Sequence, residues 1–192
     1  MGTPIDRSLP ALLARLTQHE PTLGSAGAAV LLVLRDTPKG PEVLLIQRTE
    51  RVEDRASGQV ALPGGRVDPS DASLVETALR ELREEVGLAR EHLLETPRFV
   101  EIRNAPAFGM HVAVLASRLA PGAGPPYVAD TKEVESVFWF PVSQLDQVAS
   151  VTRSTQLGDV AVSAVRFQRH IVWGFTLRVL CRFLGYPDPP RP

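Results

Sequence analysis

The sequence predicts an α+β fold, an α/β/α sandwich around a mixed β-sheet. Two apolar runs, residues 28–34 (AAVLLVL) and 42–48 (EVLLIQR), are short enough for buried strands, and DTPKGPE between them reads as a turn. Residues 72–86 repeat apolar side chains at helical spacing. Strands and helices alternate along the chain, yet several strands are hairpin neighbours, which argues for a mixed rather than a purely parallel sheet.

The elements follow in order. Residues 9–18 (LPALLARLTQ) read as a short amphipathic helix, followed by the 28–34 and 42–48 hairpin. Residues 49–58 (TERVEDRASG) are charged and irregular, and 60–62 lead into a sharp turn at Pro63-Gly64-Gly65. Asp68, Ser70 and Asp71 are candidate N-caps for the 72–86 helix, and Gly87 is its expected stop. Strands are expected at 99–102, 110–116, 134–140 and 162–167, a loop at 119–130, a short helix at 143–148 and an apolar-rich helix at 173–184. There is no internal repeat and no long low-complexity tract.

A length of 192 residues favours one domain, 1–192, with its core at about 26–184. Lys and Arg total 21 against 22 Asp and Glu, a net charge of -1. That excludes a generic basic nucleic-acid coat, so an anionic ligand must meet local basic residues or bridging cations. The lone Cys181 excludes an intramolecular disulfide and a Cys-rich zinc site, and fits a reducing compartment; a cytoplasmic location is expected. The first 24 residues are interrupted by charges and read neither as a signal peptide nor as a membrane span. Met1-Gly2 suggests myristoylation, but Asp6 stands where Ser or Thr is wanted. No nucleic-acid or membrane partner is expected, and no pattern specifies an oligomeric state.

Chemistry concentrates in residues 74–88, LVETALRELREEVGL. At roughly 100° per residue, Val75, Ala78, Leu79, Leu82 and Val86 share one face. Glu81, Glu84 and Glu85 share the adjacent one, at i, i+3 and i+4. Like charges so spaced repel by a few tenths of a kcal/mol per pair, and a bound Mg²⁺ or Mn²⁺ would turn that repulsion into attraction. Glu76 and Arg83 lie outside both clusters and receive no role. The Gly-Gly turn stands at a distance suited to packing against the helix start, where its amides approach phosphate closely.

Gly65, Arg80-Glu81-Leu82, Glu84-Glu85, Gly87 and Leu88 resemble the Nudix box, G-x5-E-x7-R-E-U-x-E-E-x-G-U, with U a bulky apolar residue. The carboxyl half matches at every fixed position. The amino half departs: Arg80 lies 15 residues after Gly65, one more than the box allows. Counted back from Arg80, Ala72 stands where the first Glu falls, with Asp68 and Asp71 nearby as candidate substitutes. The extra residue is similar to the coenzyme A pyrophosphatase branch, whose upstream pattern is L-L-T-x-R-[SA]-x3-R-x3-G-x3-F-P-G-G. Residues 44–65 read LLIQRTERVEDRASGQVALPGG. Arg48, Gly58 and Pro63-Gly64-Gly65 match in kind, Thr49 replaces Ser/Ala and Leu62 replaces Phe. The Arg-to-Gly interval is one residue longer, so the second Arg position holds Asp54, with Arg55 beside it. TKEVESVFWFPVSQL and IVWGFTLRVL also look like this branch, which extends the resemblance from about 26 to 184.

The resemblance implies a Nudix fold and hydrolysis of a nucleoside diphosphate linked to another group, with Mg²⁺ or Mn²⁺ and attack by water on one phosphorus. Glu81 and Glu85 are the first-choice metal ligands, with Glu84 close behind. The general base lies among these or at Glu133, which as a strand residue would share a face with Glu135. Arg80 resembles the box arginine that braces the carboxylates. Arg48, Arg51 and Arg55 are candidates for the diphosphate or a 3′-phosphate, with Gly64 and Gly65 beside the substrate. The expected substrate is coenzyme A or a derivative, giving 3′,5′-ADP and 4′-phosphopantetheine. The alternatives are ADP-ribose, a dinucleotide polyphosphate, or a non-catalytic nucleotide-binding module. Trp139, Trp173 and Cys181 read as core, and His19, His92, His111 and His170 form no ligand motif.

Overall fold

In a computed structural model, which describes residues 8–14, 16, 21–51, 57–106, 109–155 and 158–189, the expected hairpin forms from β1 (Ala28–Thr37) and β2 (Gly40–Arg48). They pair antiparallel, from Leu34 opposite Val43 to Thr37 opposite Gly40. Their apolar runs are continuous because both faces are covered. Leu31, Val33, Leu44 and Ile46 pack on one side with Leu74, Ala78 and Leu82. Leu32, Leu34, Val43 and Leu45 pack on the other with Phe140, Leu177 and Leu180.

Around the hairpin stand β3 (Val60–Ala61), β4 (Gly64–Arg66), β5 (Arg98–Ala105), β6 (Met110–Arg118) and β7 (Val134–Pro141). The seven-stranded sheet runs β3-β2-β1-β6-β5, with β4 also on β1 and β7 also on β2. β1 and β6 are parallel while the other pairs are antiparallel, so the sheet is mixed. A second sheet joins β8 (Ala149–Thr155), β9 (Gly158–Phe167) and β10 (His170–Trp173). Val165 and Val172 carry it onto the face that α3 (Gly174–Phe183) covers. Among the described residues no helix is long and apolar enough to cross a membrane.

α1 (Leu9–Leu13) occupies the start of the expected first helix and buries Leu9, Leu12 and Leu13. The expected 143–148 helix is a single 3-10 segment, Val142–Gln147. β3, β4, β8 and β10 were not expected: Gly64-Gly65 is not simply a turn but part of a strand paired with Ala29 and Val30.

α2 (Leu74–Val86) ends at Gly87 as its sequence implies, with Gly87 left-handed at φ 70°. Its N-cap is Ser73, whose side chain accepts from the Glu76 amide, not Asp68, Ser70 or Asp71. Those residues instead build the preceding turn, in which the Ser70 amide and hydroxyl both donate to Asp68 Oδ1. Ser73→Ala is expected to lower stability by about 1 kcal/mol, seen as a lower urea midpoint at unchanged slope.

Candidate active site

The apolar stripe of α2 pulls the helix against β1 and β4, and the adjacent stripe faces the Gly64-Gly65 backbone. Val75, Ala78, Leu79, Leu82 and Val86 are all buried, as their spacing predicts. On the next face, exposure grades steeply. Glu85 is 2% exposed, while the Glu81 and Glu84 side chains are 14% and 50% exposed.

Glu85 Oε2 accepts from the Gly64 amide at 2.9 Å, and its buried Oε1 has no hydrogen-bond partner. Burial pushes its carboxyl up to about 8. The Gly64 amide and the Arg48 charge oppose that rise, and the Glu81 and Glu133 charges add to it. Burial likewise raises Glu81, against Arg80. Gly65 lies directly against Glu81: a Cβ there would stand 2.3 Å from Oε1. Such close approach is open only to glycine.

Arg80 ties the face together. Nη1 donates to Glu81 Oε1 at 2.9 Å and to Glu84 Oε2 at 3.0 Å, and Nη2 to the Arg66 carbonyl at 2.9 Å. Nε and Nη2 grip Asp71 Oδ1 and Oδ2 at 3.0 and 3.1 Å. The Arg80 guanidinium beside Asp71 draws its carboxyl down to about 2, and the Asp68 amide and Thr77 hydroxyl act the same way. Asp71, named from sequence as a candidate N-cap and as an acid near the vacant first-Glu position, is a member of this network, and Thr77 is a member to which the sequence reading gave no place. Counted from Gly65, Asp71 falls six residues on, where G-x5-E has its acid, and the extra residue lies between it and Arg80.

Other expected residues divide. Glu133 is half-buried just before β7, its carbonyl accepting from Thr49 at 2.9 Å, and its charge reaches both Glu81 and Glu85. Glu135 turns elsewhere, 3.7 Å from Arg169. Arg48 ends β2 opposite Val134, and its charge acts on Glu85. Arg51 donates through Nη2 to the Lys132 carbonyl. Arg55 lies outside the described residues, as does His19. Cys181 is buried and its thiol pushed up to about 11, in keeping with a core role. Trp139 is half-buried beneath Arg35, 4.1 Å from the ring centroid.

The donor set is entirely oxygen, which suits a hard divalent cation. Among the described residues no ready-made group of three ligands stands assembled, and Arg80 holds both Glu81 and Glu84. The unpartnered Glu85 oxygen, within the field of Glu81 and Glu133, is the feature a cation would satisfy.

Residues 25–156 match the NUDIX domain. The chain is 35% identical over 161 residues to the mitochondrial coenzyme A diphosphatase NUDT8 of Homo sapiens, covering 79% of this chain and 65% of that protein. It is 32% identical over 158 residues to the uncharacterized Nudix hydrolase NudL of Photorhabdus laumondii, covering 80% of each. In structure it is similar to a NUDIX hydrolase from Alicyclobacillus acidocaldarius, with a TM-score of 0.55 at 20% identity over 84% of this chain and 91% of that one. That likeness concerns the fold alone.

Proposed function

This chain belongs to the Nudix hydrolase family, which acts on phosphoanhydride bonds, and from that premise we propose that it hydrolyses the diphosphate of coenzyme A or its derivatives. The products are 3′,5′-ADP and 4′-phosphopantetheine, or its acyl form. The observation that carries the hydrolytic reading is the buried Glu85 carboxylate, with one oxygen on the Gly64 amide and the other without a partner. The substrate reading is supported by the branch-like motif and by the named activity of the human relative.

In this reading Glu81 and Glu85 hold Mg²⁺ or Mn²⁺, with Glu84 joining them. When bound, such a cation neutralises diphosphate charge and makes water a better nucleophile. Glu133 or one of the box glutamates accepts the proton of the attacking water. Arg80 keeps the carboxylates in place, and Arg48, Arg51 and Arg55 draw the phosphates toward Gly64 and Gly65. The cytoplasmic location drawn from the lone cysteine belongs to the same proposal.

Product analysis with coenzyme A, with and without Mg²⁺ or Mn²⁺, tests it. The expected result is ion-dependent release of 3′,5′-ADP and 4′-phosphopantetheine, with slower turnover of dephospho-coenzyme A. Equal turnover of both would remove the 3′-phosphate from recognition. A marked preference for ADP-ribose or a dinucleotide polyphosphate would reassign the substrate within the same chemistry, and binding without cleavage would leave a nucleotide-binding module.

A further inference from the structure

We infer that Gln47 and His170 are positioning residues for substrate binding, which hold Arg51 in place through Gly58 and Ser57. The inference rests on the reading of Arg51 as a phosphate contact. Its ground is an unbroken run of contacts from the second sheet to that arginine. Gln47, near the end of β2, donates through Nε2 to the Gly58 carbonyl. Its Oε1 is therefore the acceptor in the 3.1 Å contact with His170 Nδ1, and the imidazole carries a proton on that nitrogen. Next to Gly58, the Ser57 hydroxyl oxygen accepts from the Arg51 amide at 2.6 Å. The Arg51 side chain in turn donates to the carbonyl of Lys132, one residue before Glu133.

His170 is itself firmly held. It is 5% exposed, and its ring lies flat on Phe138 of β7, with centroids 3.8 Å apart and planes 3° apart. Burial and the Arg169 charge keep it below its ordinary value, against the Glu135 charge, which favours the neutral ring with a single N–H. At Gly58 the backbone is left-handed, at φ 62°, and a glycine leaves it free to change course; the Gln47 bond removes that freedom. From there the chain is fixed carbonyl by carbonyl. Gly58 meets Gln47, Gln59 meets the Arg48 amide at 3.0 Å, and Val60 meets the buried Thr176 hydroxyl at 2.9 Å. The branch-like segment IVWGFTLRVL, with His170 just before it and Thr176 within it, thereby reaches the substrate side of the molecule, although it lies far from the cation centre in sequence.

The test uses Gln47→Met, His170→Phe, His170→Asn and Arg51→Ala in the full chain. KM and kcat for coenzyme A are read beside direct Mn²⁺ titration. Gln47→Met is expected to raise KM by about 10-fold, and His170→Phe, which keeps a ring on Phe138, by about 3–10-fold. In both, kcat and Mn²⁺ binding should stay within about 2-fold of wild type, because the carboxylates on α2 are untouched. His170→Asn places an N–H where Nδ1 stood and should hold KM within about 2-fold, while the lost ring stack lowers its urea midpoint. In the Arg51→Ala background Gln47→Met should add less than about 2-fold, because its effect passes through Arg51. Three results would each overturn the inference alone: unaltered KM in both Gln47→Met and His170→Phe, a KM as high in His170→Asn as in His170→Phe, or full multiplication of the Gln47→Met and Arg51→Ala effects. A wild-type chain that does not hydrolyse coenzyme A would overturn the proposed function, and this inference with it.

Discussion

Glu85→Gln is expected to lower kcat by about 10³-fold or more while the chain stays folded. Glutamine has the size of glutamate, so no cavity opens in the packing around residue 85. Its side-chain oxygen can still accept from the Gly64 amide, which now meets Oε2 at 2.9 Å. What disappears is the negative charge at the unpartnered Oε1. A cation centre needs that charge, whereas a bare nucleotide-binding cleft does not. Steady-state rates at saturating Mg²⁺, beside near-ultraviolet circular dichroism, separate loss of chemistry from loss of fold. Full turnover in the variant would move the centre away from Glu85.

In a chelator the same variant acts in the opposite direction on stability. Burial raises the Glu85 carboxyl from its ordinary 4.5 to about 8 in the folded chain. The native state therefore binds this proton more tightly than the unfolded state. Its contribution to stability is fully present below about 4.5 and is lost as pH rises through about 8. Glutamine has no proton to lose. Without cation, the variant should melt close to wild type near pH 5 and clearly above it near pH 8, a gap on the order of a few kcal/mol. Added Mn²⁺ should close the gap by raising the wild type alone. A gap that does not change with pH would contradict the burial of an uncompensated carboxylate.

The parts of the fold that could be read from sequence are those where one physical pattern dominates. β1 and β2 were visible because both faces are covered, which writes seven apolar residues in a row at 28–34. α2 was visible because Leu74, Ala78, Leu82 and Val86 repeat at helical spacing and Gly87 ends the series. β4 was not, since Gly64-Gly65-Arg66 carries no alternation; its pairing partner β1 makes it a strand. β8 reads ASVTRST and lacks an apolar run, so its pairing with β9 defines it. In the site, the placing of Glu81, Glu84 and Glu85 on one stripe followed from helix geometry. Their unequal exposure did not, because it depends on how closely a separate glycine pair approaches the helix. Asp71 was legible only as one of several acids near the helix start, because loop distance in sequence does not say which acid a turn returns to the helix. Ser73 rather than Asp71 caps α2 because the Asp71 oxygens are engaged by Arg80, Thr77 and Asp68.

Gly64 and Gly65 should fail in different ways when each is changed to alanine. At Gly64 the added Cβ would stand 2.3 Å from the Ala29 carbonyl oxygen and 2.6 Å from Val30 Cα. Those are backbone atoms of a central strand, fixed on their other side by the ladder to β6. With φ at 147°, the residue is also in a region that side-chain-bearing residues seldom adopt. Neither neighbour can yield without shifting β1, so Gly64→Ala is expected to cost about 3 kcal/mol or more and to release Glu85 from its amide donor. At Gly65 the obstacle is the Glu81 carboxylate, with Oε1 at 2.3 Å and Cδ at 2.5 Å. A side chain can rotate away, so Gly65→Ala should keep most of its stability. It should lose activity by roughly 10–100-fold, because Glu81 is displaced from its place beside Glu85. Urea midpoints and kcat for the two variants give the comparison. Equal destabilisation would mean that Glu81 is as rigid as the strand, and equal activity loss without destabilisation would mean that β1 gives way at Val30.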